Sequence, residues 1–161
     1  MKSGRHRLWI KQPLATFNGT TADASEGIVV SNGVITEILR RGQSPSGQID
    51  TVFDARQHVV LPGLVNTHHH FNQTLTRAMP VAINKKLFDW LTSLYSVWAR
   101  LTPEMICSSS QVALVELLQS GCTTTADHHY IFSNQLENAI DIQVEAAKAI
   151  GCRVVLARGS M

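Results

Sequence analysis

The stretch Leu61-Pro62-Gly63-Leu64-Val65-Asn66-Thr67-His68-His69-His70 decides how this chain is read. With His58-Val59-Val60 before it, it predicts one fully buried apolar strand ending in three histidines. In extended backbone, side chains at i and i+2 point to the same side. His68 and His70 can therefore aim at one point, while His69 aims away. Two imidazoles, each ~2.0–2.1 Å from a shared ion, form half of a four-ligand metal site. A polar loop that happens to be rich in histidine is the competing reading. The i, i+2 spacing at the C-terminal end of a buried strand favours the metal.

Downstream the period changes. Lys85 to Leu101 places Leu87, Trp90, Leu91, Leu94, Trp98 and Leu101 at helical spacing with a broad apolar face. Thr102-Pro103-Glu104 supplies an N-cap, a first-position proline and an acidic first turn for a second helix, which Gly121 stops. Cys122 to Ala126 is rich in β-favouring threonine and reads as a strand. Ser133 or Asn134 caps a third helix that Gly151 ends, and Cys152 to Ala157 forms another strand. Residues 58–157 thus spell strand, helix, strand, helix, strand, which implies parallel pairing with right-handed crossovers.

The polar residues fall at matching places. His68 and His70 follow the first strand, Asp127, His128 and His129 the second, and Arg158 and Ser160 the third. That is the sheet edge where barrels and open parallel sheets build their sites. A closed (β/α)8 barrel takes roughly 250 residues. Three parallel strands leave an open edge, so further strands are expected, from a continuation of the chain or from a partner.

Upstream, residues 1–57 read as a small antiparallel β unit. Gly27-Ile28-Val29-Val30 and Val34-Ile35-Thr36-Glu37-Ile38 flank Asn32-Gly33, a strong hairpin signal. Leu8-Trp9-Ile10, Ala15-Thr16-Phe17 and Asp50 to Asp54 supply further short strands, and the Gly-, Ser- and Pro-rich segment from Arg41 to Gly47 is a loop. The unit has few large apolar residues and is expected to pack against something else.

Composition excludes several classes. The 161 residues are 44% hydrophobic and 16% charged, enough to bury a core. A net charge of +2 is too mild for a nucleic-acid partner, and Lys2, Arg5 and Arg7 read as a solvated N-terminus. No apolar run is long enough to span a bilayer, and no signal peptide is visible, so a cytoplasmic location is expected. Cys107, Cys122 and Cys152 lack a C-x-x-C spacing and read as small buried hydrophobes. H-E-x-x-H, P-C-x-x-C, G-x-G-x-x-G and P-loop patterns are all missing.

Pro62 to His70, preceded by short β strands, resembles the amidohydrolase superfamily. Trp9 to Leu14, His68 to Arg77, Leu87 to Leu101 and Ala126-Asp127-His128-His129-Tyr130 are similar, more closely, to its 8-oxoguanine deaminase branch and that branch's guanine-deaminase and triazine-hydrolase relatives. The resemblance implies a β-sandwich joined to a (β/α)8 barrel that holds one catalytic divalent metal, zinc or another transition metal such as Fe2+. Here residues 1–57 would be the sandwich part and 58–161 the first three β/α units. His68 and His70 would be the first-strand metal ligands. The remaining ligands and the general acid/base belong to later strands, at positions beyond residue 161.

The implied reaction is hydrolytic deamination of a purine-like heterocycle by metal-activated hydroxide, 8-oxoguanine giving urate and ammonia. Guanine or adenosine-type deamination, triazine hydrolysis, and an inactive fragment that only binds a metal or partner are the alternatives. The resemblance also implies a homo-oligomer for the full-length protein. Gln73 would contact the substrate through an amide that both donates and accepts, or else be a plain loop residue. Trp90 would line the pocket or sit in the helix core. His128 and His129 would line the pocket or brace metal-bound histidines, with a loop role open for His129. Arg158 would be a substrate or ion-pair group at the third strand's end.

Overall fold

A computed structural model describes residues 6–17, 19, 23–133 and 135–159. Lys2, Arg5, Asn134 and Ser160, given roles above, lie outside the described residues. The chain divides into two compact units, residues 1–62 and 63–161.

In the first unit, β1 (Arg7–Lys11), β3 (Gly27–Ser31), β4 (Val34–Leu39) and β5 (Thr51–Asp54) form one sheet in the order β4-β3-β1-β5. The hairpin is where Asn-Gly placed it: Asn32 and Gly33 both take positive φ, 50° and 77°, between antiparallel β3 and β4. The expectation of a purely antiparallel unit needs correction. β5 returns alongside β1 in parallel, and β2 (Ala15–Thr16) pairs in parallel with β6 (Val59–Val60). Val29, Ala55, Leu39 and Ile28 are among the buried apolar residues of this unit.

The expected single strand from His58 to Val65 is two strands. Val59–Val60 pairs within the first unit, whereas β7 (Leu64–Asn66) joins the sheet of the second. Between them Pro62 has no N–H to donate and interrupts any ladder. Nor is β7 buried: it is an edge strand, with Leu64 56% and Val65 65% exposed.

The second unit carries the parallel sheet in the order β7-β8-β9, with β8 (Cys122–His129) central and β9 (Arg153–Arg158) on its other side. Asp127, His128 and His129 lie within β8, not after it, because their pairing with β9 continues to His129 opposite Arg158. A 3₁₀ helix over Phe71–Thr76, which the sequence reading left as loop, follows the histidines directly. Three helices follow the expected punctuation with shifted ends: α1 (Leu87–Trp98), α2 (Pro103–Gln119) and α3 (Ala139–Ile150). Thr102 caps α2 by accepting from the Met105 N–H, with Pro103 in the first turn. Gly151, at φ 81°, ends α3 in the left-handed conformation that glycine tolerates. The start of α3 is displaced to Asn138, since residues 135–138 form turns.

Two apolar clusters hold this unit. Leu94, Trp98, Leu101, Ile106, Ile131 and Leu136 pack together under Trp90, Tyr130 and Phe132. Phe71, Ala113, Leu114, Ala147 and Cys152 join α2, α3 and the 3₁₀ helix to Val154 and Leu156 of β9. No helix among the described residues is long and apolar enough to cross a membrane.

Candidate functional site

The histidine run is fixed by what surrounds it. The Asn66 side-chain oxygen accepts from the His68 N–H at 2.9 Å, folding the chain just past β7. The His69 carbonyl accepts from the His128 N–H at 2.9 Å, and the His128 carbonyl oxygen lies 2.7 Å from His70 Nδ1. A carbonyl can only accept, so Nδ1 carries the proton and the neutral ring keeps its lone pair on Nε2. One residue further, the Phe71 N–H donates to Asp127 Oδ1 at 2.6 Å, while Gln143 Nε2 of α3 donates to Oδ2 at 2.7 Å. Asp127, 1% exposed, therefore ties the segment after the histidines to β8 and α3. Burial pushes its carboxyl up, and the two donors work against that shift.

The rings of His68 and His70 stand 4.9 Å apart between centroids, at 88°. Two imidazoles bound through Nε2 to one tetrahedral ion, at ~2.0–2.1 Å, have centroids about 5 Å apart. The pair's spacing and the free Nε2 of His70 fit such an ion. Among the described residues, no group of three or more His, Cys, Asp or Glu side chains is arranged to hold a metal. His69 is half-buried, its ring tilted against Phe71 at 5.1 Å, and burial lowers its pKa.

Two clefts open beside the pair. One, of about 540 Å³, is lined by His68, His69, His70, Gln73, Arg77 and Trp90 among others. The other, of about 410 Å³, is lined by His70, Gln73, Trp90, Leu91, His128 and Tyr130 with Leu87. Gln73 is carried there by the 3₁₀ helix. Trp90 reaches it from α1, braced edge-to-face on the buried Trp98 at 5.4 Å. His128 is exposed, its ring 6.0 Å from that of His70.

Two proposed site residues lie elsewhere. Alternation along β8 puts Thr125, Asp127 and His129 on the buried face and His128 on the other. His129 is fully buried, with Nε2 2.8 Å from the Ile131 carbonyl and its ring against Phe132. Arg158, opposite His129 in the register, shares that face and stacks its guanidinium 4.1 Å over Phe132.

Sequence reasoning gave no role to Asp127 or Tyr130. The alternation Thr125-Asp127-His129 would have marked a buried polar face only if β8 had been extended through His129. Tyr130 follows that strand directly, and its phenol oxygen accepts from Gln73 Nε2 at 2.7 Å.

Residues 59–161 match the amidohydrolase family. This chain belongs to that family. Among amidohydrolase relatives it is 56% identical over 155 residues to the 8-oxoguanine deaminase of Pseudomonas aeruginosa, covering 96% of this chain and 34% of that protein. It is 37% identical over 146 residues to the 5'-deoxyadenosine deaminase of Methanosarcina barkeri, covering 86% and 31%. Its fold matches that of a mutant atrazine chlorohydrolase from Arthrobacter aurescens, complexed with zinc and atraton. The TM-score is 0.77 at 26% identity, over 96% of this chain and 36% of that one. The chain thus spans about a third of the length of the curated relatives it matches.

Proposed function

We propose that this amidohydrolase chain contributes the first-strand half of a divalent-metal centre, zinc by preference, to a hydrolytic deaminase of purine-like heterocycles. The supporting observation is the His68–His70 ring pair beside clefts that also take in Gln73, Trp90 and His128. The parallel order β7-β8-β9 supports residues 63–161 as the opening β/α units of a (β/α)8 barrel. A divalent ion at such a pair would lower the pKa of water to about 7 and supply hydroxide at neutral pH.

The chain's own residues orient that half-site and line its clefts. The His128 carbonyl and the Asp127 clamp hold His70 in one tautomer and one orientation. Trp90 offers an apolar face to a flat ring, and Gln73 an amide to its polar edge.

Among purines the proposed substrate is 8-oxoguanine, with urate and ammonia as products. Likeness to the Pseudomonas aeruginosa enzyme supports that choice over adenosine-type and triazine substrates. Ammonia release by the zinc-loaded protein, purified as its gene encodes it, tests the proposal. Release from 8-oxoguanine exceeding that from guanine, 5'-deoxyadenosine and amino-triazines is the expected result. Release from triazines alone, or from none of the four, would overturn it.

A further inference from the structure

Trp98 of α1 is buried, and its ring meets Trp90 edge-to-face at 5.4 Å and Tyr95 at 6.2 Å. A buried indole N–H needs an acceptor. Here Nε1 donates to the Thr76 hydroxyl at 3.3 Å. A hydroxyl that accepts there still has its own proton to place. Thr76 Oγ1 lies 3.4 Å from the Gln73 carbonyl, which can only accept. The direction of the relay is therefore fixed, from Trp98 to Thr76 and from Thr76 to Gln73. Thr76 is itself buried, so little water competes for these bonds.

The relay ends on the element that carries Gln73. Phe71–Thr76 is a 3₁₀ helix, whose internal hydrogen bonds are poorer than those of an α-helix, so tertiary ties decide where it lies. The Thr74 hydroxyl, donating to the Ser109 carbonyl at 3.2 Å, ties it to α2. Trp98 ties it to α1, the helix that also carries Trp90. Gln73 and Trp90 line both clefts, and one buried side chain holds the supports of both.

We propose that Trp98, acting through Thr76, is a positioning residue that sets the spacing between the Gln73 amide and the Trp90 ring. This rests on the deaminase reading above and deepens it. A flat heterocycle is gripped only where its face meets the ring while its polar edge meets the amide.

The test uses Thr76→Val, Thr76→Ser and Trp98→Phe in the zinc-loaded protein as its gene encodes it. Valine keeps the shape of threonine and removes the hydroxyl, serine keeps the hydroxyl, and phenylalanine keeps an aromatic ring and removes the N–H. Gln73 and Trp90 would grip the heterocycle in ground and transition state alike, so loosening them raises KM and leaves kcat. Mere loss of fold does the reverse: it reduces the active fraction, and with it the apparent kcat, and leaves KM. KM for 8-oxoguanine is expected to rise about tenfold in Thr76→Val and Trp98→Phe, with kcat within about threefold of wild type. Thr76→Ser should stay within about threefold of wild type in both constants. An unchanged KM in Thr76→Val, or an equal rise in Thr76→Ser, overturns the inference. If Trp98→Phe does not fold, the two threonine variants decide alone. If wild type releases no ammonia, the deaminase reading fails by itself, and calorimetric affinity for 8-oxoguanine takes the place of KM. Weakening of about tenfold in Thr76→Val, with Thr76→Ser unaffected, then upholds the positioning role. Unchanged affinity, or no binding by wild type, overturns it.

Discussion

The Asp127 carboxylate commits each oxygen to a different element, one to the Phe71 N–H and one to the Gln143 amide. Truncation to Asp127→Ala strands both donors in the interior, and each buried unpaired donor costs about 1–3 kcal/mol. Urea unfolding should therefore show a loss of about 2–4 kcal/mol for Asp127→Ala. Asp127→Asn should lose less than about 1.5 kcal/mol, because the Gln143 amide can turn its unpartnered oxygen to accept from the new amide. Equal losses for the two variants would contradict the clamp. His129 gives a pH dependence. Burial lowers its ring pKa below the ordinary value, so as pH falls the unfolded chain takes up the proton first. The stabilisation is present above about pH 6.5 and is lost as pH drops below it. The melting temperature should fall between pH 7.5 and 5.5, and His129→Gln should make that fall shallower. His69, shifted the same way by burial, leaves a remainder. At this scale the sequence was partly legible. Alternation suggested pairing His68 with His70, but β7 ends at Asn66, and the Asn66 turn and the His128 carbonyl position the two rings. That Asp127, His129 and Arg158 face the helices depends on where β8 ends, and single-residue strand boundaries are weakly encoded.

Among the elements, helix ends were the most readable features, because Thr102, Pro103 and Gly151 act locally through caps and fixed or permitted φ. The junction at Pro62-Gly63 was not. It looks like a continuous apolar run, yet Val59–Val60 finds its partner in β2 and Leu64–Asn66 finds its own in β8. Pairing partners far along the chain, not local pattern, divide the run. Gly63 packs closely on β8. A Cβ there would lie 2.1 Å from Thr123 Oγ1 and 2.8 Å from Thr123 Cβ. Gly63→Ala should cost about 1–3 kcal/mol as β7 is pushed off β8. In a Thr123→Ala background the same change should cost measurably less. Denaturant midpoints of the four proteins of that cycle provide the check, and strict additivity would place the strain elsewhere.

At the scale of the whole molecule, the exposed Val65 and Val155, aligned with Thr124 and Ala126 of β8, mark the side of the parallel sheet away from its helices. A strand read from sequence as wholly buried is open on that side. Hydrophobic pattern reports what a segment can bury, and neighbours decide what it does bury. The same sheet carries the histidine pair at the end of its first strand, which the i, i+2 spacing made legible before any tertiary contact was known. Gln73, Trp90 and His128 meet around one cleft because a 3₁₀ helix, α1 and β8 converge there, an arrangement no spacing rule contains. The most direct test of the central claim is the metal content, by mass spectrometry, of the protein purified as encoded, in wild type and in His70→Asn. The account predicts about one equivalent of divalent transition metal in wild type and its near-complete loss in the folded variant. A variant that keeps the full equivalent would contradict it.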